Sequence, residues 1–148
     1  MEVNQSEVVS IAHAIQLSVA PVFLLSGIGV FLGVLTNRLA RIVDRARPME
    51  QRLATAPEAE AAELRRSLAV MARRGRLINR SITLGTIAAL LVALVVALLF
   101  ASAFVRFSLV VPVAGLFITS MMSLVGALVA FLVEVRVATA ALRIGQPR

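Results

Sequence analysis

His13 is the sole histidine of this 148-residue chain, Asp44 the sole aspartate, and cysteine is absent. Those counts bound the chemistry available. A Ser/His/Asp triad needs its acid within hydrogen-bond reach of the imidazole, and the topology derived below puts His13 and Asp44 at opposite ends of one membrane span. Without cysteine, thiolate metal sites and disulfide frameworks are excluded. Glycine-rich phosphate loops are also missing, because most glycines lie within apolar stretches, where close helix packing accounts for them. The expectation is therefore a non-enzyme with no catalytic residue, no metal and no cofactor.

The remaining polar chemistry falls into two layers. In the first, Ser10, His13 and Gln16 recur at helical spacing, and the same face runs on through Leu24 and Phe31 to Arg38. Polar groups inside a span face protein or water rather than lipid. These six residues are candidates to line a pore: polar outer mouth, apolar constriction, cationic inner mouth. Alternatively His13 sits at headgroup level or bonds a neighbouring helix. The second layer comprises Asn37, Arg38, Arg41, Asp44, Asn79, Arg80, Glu134 and Arg136, all near the expected inner edge of the spans. Glu134 ends an otherwise uncharged helix, where a lone carboxylate is costly, so Arg80 or Arg38 is its expected partner. This layer locks span ends together, or its charges select ions.

Three stretches position these groups. Residues 8–37, 81–105 and 107–133, of 30, 25 and 27 residues, contain no Asp, Glu, Lys or Arg. About 20 apolar residues suffice for a helix to cross the hydrocarbon core. With 59% of residues apolar, against roughly 45–50% for a soluble protein, an all-α integral membrane protein with three transmembrane helices follows. All fifteen basic residues are arginine, and eleven lie between Asn37 and Arg80 against five acids. Arginine-rich loops stay cytoplasmic, so residues 38–80 should form a cytoplasmic helical hairpin extending the first and second spans. The N-terminus is then outside and the C-terminus inside. The acidic start, Glu2 and Glu7, and the length of the first apolar run are unlike a signal peptide. Net charge +7 and a pI near 11.8 invite nucleic-acid binding, but no aromatic residue interleaves the arginines to stack bases. Anionic lipid on the cytoplasmic side is the expected counter-charge.

Two prolines complicate the first helix. Pro21 either kinks it or separates an interfacial helix, residues 6–20, from a span beginning near the proline. Pro48 is expected to bend or interrupt the hairpin. Thr55 then reads as an N-cap, with Pro57 in the first turn and Glu58 closing a capping box, and the second helix runs on from near Pro57 to near Val105. Small residues recur every four positions: Gly29 and Gly33; Ser81, Gly85, Ala89, Ala93, Ala97 and Ala101; Gly115, Thr119, Ser123 and Ala127. Membrane helices associate through such faces by close packing, so these rows predict helix contacts, within one subunit or between subunits.

Residues 11–21, the run Leu35-Thr-Asn-Arg-Leu-Ala-Arg-Ile-Val-Asp-Arg-Ala-Arg47, Arg76-Leu-Ile-Asn-Arg80 and Glu134-Val-Arg-Val-Ala-Thr139 together resemble the domain-of-unknown-function 2721 family of small bacterial membrane proteins. The resemblance implies a bacterial integral membrane protein without an established activity and transfers no catalytic residue; the inner membrane is the expected location. It points to Asn37, Arg38, Arg41, Asp44, Arg45, Asn79, Arg80 and Glu134 as the matching positions.

A single three-helix chain has too little perimeter to bury every small-residue face, so a homo-oligomer is expected. Its function is then a small-ion pore lined by the first helix, or a non-conducting scaffold or accessory protein. The latter docks an unidentified protein partner through its arginine-rich hairpin. The topology is testable directly because the chain lacks cysteine. In Ala59→Cys, intact cells should resist a membrane-impermeant maleimide that labels the same protein after lysis. Labelling in intact cells contradicts the orientation.

Overall fold

The computed structural model describes residues 5–102 and 110–143, with side chains for 8, 9, 11–13, 15–102 and 110–139. These residues form three α-helices: α1 (Gln5–Leu53, 49 residues), α2 (Glu58–Ser102, 45) and α3 (Val110–Arg143, 34). At about 1.5 Å per residue they measure roughly 70, 70 and 50 Å, each longer than the roughly 30 Å hydrocarbon core. All three are long and apolar enough to cross a membrane. Only 17%, 22% and 11% of their most apolar windows are buried within the chain. Most of the apolar surface therefore points outward, the reverse of a water-soluble bundle.

α1 is continuous through both prolines, so residues 6–20 do not separate from the span. A proline deletes one hydrogen bond, and packing of the flanking turns compensates. Pro48 does not interrupt the helix either. Beside it Ala46, Met49 and Leu53 remain half-buried and keep the last turns in place. The connection also differs from the expected cap. Thr55 donates both its backbone N–H (3.2 Å) and its hydroxyl (3.4 Å) to the Arg52 carbonyl, closing the end of α1. Pro57 opens α2 instead: its carbonyl accepts from the Ala61 N–H at 2.8 Å, the bond that defines an N-cap. Glu58 and Glu60 then occupy the positive end of the helix.

The chain divides into two compact units. The first comprises Met1–Phe31 and Leu84–Val125. Its interior holds Ser18, Pro21 and Ile28 of α1, Ala88, Val92 and Val95 of α2, and Ser120 of α3. Two hydroxyls of α3 bond carbonyls of α2: Ser120 to Ala88 at 3.0 Å and Ser123 to Leu84 at 2.8 Å. The second unit comprises Leu32–Thr83 and Gly126–Arg148, with Leu35, Ala61, Ile78, Ser81, Ala127 and Glu134 buried. Here α2 is the donor, Ser81 to the Ala127 carbonyl at 2.6 Å.

Inward positions alternate steps of three and four. In the second unit α1 turns Leu35, Leu39, Ile42, Ala46, Met49 and Leu53 inward, a heptad-like seam that follows the neighbouring helices. Rows spaced strictly by four behave differently. At about 100° per residue each step of four advances about 40° around the helix, so such a row walks off any seam. Ser81 and Gly85 are buried, whereas Ala93 and Ala97 are exposed; on α3, Ser123 and Ala127 pack inward, whereas Gly115 and Thr119 do not. The small-residue rows thus make intrachain contacts over part of their length.

Candidate functional site

The second unit contains a charged centre built from all three helices. Glu134 of α3 is completely buried. Arg74 of α2 donates from Nε to its Oε1 at 2.9 Å, and Nη2 forms an ion pair with the same oxygen, also at 2.9 Å. Arg38 of α1 brings Nη2 to 3.5 Å from Oε2, while its Cζ lies 5.2 Å from the centroid of the Phe131 ring. Oε2 accepts no hydrogen bond among the described residues. Its link to Arg38 is therefore an ion pair at contact range rather than an aligned bond. The two guanidinium side chains stay 34% and 22% exposed, so each spans from the buried acid toward the surface.

Local sequence explains the convergence. Phe131 and Glu134 stand three residues apart on α3, hence on one helix face, and present a ring and a carboxylate to the same guanidinium. Ser81 and Arg74 are seven apart on α2, as are Ala127 and Glu134 on α3. The Ser81–Ala127 hydrogen bond and the Arg74–Glu134 pair therefore keep one antiparallel register. On α1, Arg38 follows the buried Leu35 by three positions. The centre ties three helix faces to one another. It holds no nucleophile or general base facing a substrate-sized opening.

Among the inner-edge residues singled out from sequence, Arg38 and Glu134 meet as expected. Arg80 does not join them. It lies on the exposed side of α2, about 100° from the buried Ser81, and Arg74 takes its place. Arg74 escaped the sequence reading because it stands six residues beyond Arg80; its seven-residue offset from Ser81 was the available signal. Asn37, Arg41, Asp44, Asn79 and Arg136 are exposed.

In the first unit, His13 and Gln16 are exposed, and Leu24 and Phe31 are half-buried. The side chain of Ser10 lies outside the described residues. His13 borders a cleft of about 520 Å³ with Leu17, Pro21, Val95, Leu99 and Phe117. Gly85 is buried. By contrast, a Cβ at Gly29, Gly33 or Gly115 would meet nothing within 4 Å among the described residues.

The family model described as "Protein of unknown function (DUF2721)" matches residues 18–144, nearly the whole chain, and the protein belongs to that family. No curated protein and no solved structure matches it.

Removing the acid leaves two guanidiniums facing a neutral pocket. Breaking a fully buried pair costs about 3–5 kcal/mol, and less where the partners reach solvent. Glu134→Gln should therefore lower the melting temperature in detergent clearly more than Glu63→Gln, which alters an exposed acid. Equal melting temperatures would show that the buried carboxylate contributes nothing.

Proposed function

We propose that the protein is a homo-oligomeric, multi-pass protein of the bacterial inner membrane that works as a non-conducting scaffold. Its α1–α2 extensions, residues 38–80, form the cytoplasmic hairpin, with the N-terminus outside and the C-terminus inside. The arginine distribution supports that orientation. Anionic lipid on the inner leaflet is the nearest partner, and the reading includes no catalytic step and no nucleic acid.

The rotation of α1 carries this reading. Leu24, Phe31 and Arg38 are half-buried against the chain's own helices, and Arg38 is engaged by Glu134 and Phe131. A face so occupied is poorly placed to line an axis between subunits. The side left open carries Ser26, Gly29 and Gly33, where added side-chain atoms meet nothing. A second copy approaching there would bring backbones close, the usual geometry of small-residue membrane interfaces. An apolar groove of about 480 Å³ along the hairpin, lined by Leu39, Ile42, Leu53, Leu68 and Met71, suits a helix of a cytoplasmic partner.

The pore, the first expectation from sequence, becomes the second reading and is favoured by one observation: His13 and Gln16 are exposed polar groups on a helix otherwise suited to lipid. Water in an outer vestibule would satisfy them.

Two measurements separate the cases. Detergent-corrected mass should give an oligomer that Gly29→Leu or Gly33→Leu shifts toward monomer without lowering the monomer's melting temperature. A monomer at every concentration rules out self-association. Proteoliposomes should show no ion flux above empty vesicles, whereas flux abolished by changes at His13 would establish the pore instead.

A further inference from the structure

The charged centre leaves more positive charge than it consumes. Arg38, Arg41 and Arg45 recur on one flank of α1 at steps of three and four, and Arg74 faces them from α2. These four arginines, with Ile42 and Met71, line one cavity of about 210 Å³. Glu134 is the carboxylate engaged by this group, and it takes only Arg38 and Arg74. Among the described residues no carboxylate lies within ion-pair distance of Arg41 or Arg45. Asp44, their neighbour in sequence, is exposed and does not line the cavity. Four guanidiniums against one carboxylate repel one another, and a bound anion relieves that repulsion.

We infer that this cavity is a phosphate-binding site. Guanidinium forks match the oxygens of a phosphate group in pairs, which a monatomic anion does not exploit. Glu134 binds Arg74 through Nε and Nη2, which leaves Nη1 for a ligand and holds the fork still. Ionic anchoring of this kind lowers the entropy lost when the ligand binds. Ile42 and Met71 supply an apolar wall beside the charges. Arg38 immediately follows the uncharged stretch 8–37, so in a membrane the cavity opens at the depth of lipid headgroups. The same chemistry accepts a lipid phosphodiester or free phosphate. The membrane reading above bears only on which source supplies it.

The test uses full-length protein in dodecyl maltoside at constant ionic strength, set with chloride. Melting temperature is followed while phosphatidylglycerol, phosphatidylcholine or inorganic phosphate is titrated in. Phosphatidylglycerol should raise the midpoint more than phosphatidylcholine, whose choline cation offsets the same phosphodiester and is repelled by the arginines. In the double variant Arg41→Gln/Arg45→Gln the concentration needed should rise by about tenfold or more, since two charge-assisted contacts are lost. Neither arginine touches Glu134, so the fold is retained. Arg66→Gln/Arg73→Gln removes the same charge from exposed positions outside the cavity and should respond like the unmodified protein. A matching response to inorganic phosphate identifies a site for the free anion; a response to the lipid alone identifies a headgroup site. The inference is overturned if neither phosphatidylglycerol nor inorganic phosphate shifts the midpoint. It is equally overturned if the control pair loses as much as the cavity pair, because surface attraction would then suffice.

Discussion

A carboxylate removed from water must be met by positive charge, and Glu134 imposes that requirement where α1, α2 and α3 come together. Arg74 engages Oε1 with a hydrogen bond from Nε and an ion pair through Nη2, and Arg38 reaches Oε2 from the other side while resting on Phe131. One acid thereby sets the rotation of three helices within its unit. With Arg74 turned inward, Ser81 follows two turns later on the same seam and finds the Ala127 carbonyl. With Arg38 turned inward, Arg41 and Arg45 are drawn to the same flank, and the surplus of guanidinium groups that results makes the cavity.

The rest of the packing is less specific because lipid is as apolar as the side chains it would replace. Helix association then relies on fit and on polar contacts. In the first unit the hydroxyls of Ser120 and Ser123 supply the contacts, each donating to a carbonyl of the adjacent helix. Small residues supply the fit where the seam passes, at Gly85 and Ala88, and are left uncovered at Gly29, Gly33 and Gly115. The outward surface is correspondingly apolar, with Phe23, Val30 and Val111 among its most exposed members.

Helix number and type were legible because they follow from uncharged length, which no tertiary contact overrides. The continuity of α2 from its arginine-rich part into its apolar part was legible too, since no strong breaker intervenes. Rotation was the harder quantity. Arg80 and Arg74 both lie near the foot of an uncharged stretch, and depth alone favours Arg80. The six-position step between them turns the helix by about 240°, so only one can share a face with Ser81. Spacing by four does not by itself say which members meet a helix of the same chain: Ser81 and Gly85 do, whereas Ala93 and Ala97 are exposed, because an intrachain seam alternates three and four. Pro48 does not interrupt α1 because a proline's local cost is offset by the flanking packing at Met49 and Leu53.

The central claim is that Arg74 and Glu134 act as one unit in holding the helices. A double-mutant cycle measures this most directly, using Arg74→Met, Glu134→Leu and the two together, with unfolding free energy followed in detergent. Either single change strands a charge, whereas the double change replaces the pair with apolar contact. The double variant should therefore be more stable than the singles predict, with a coupling of about 1 kcal/mol or more. Strict additivity of the two single effects would contradict the account.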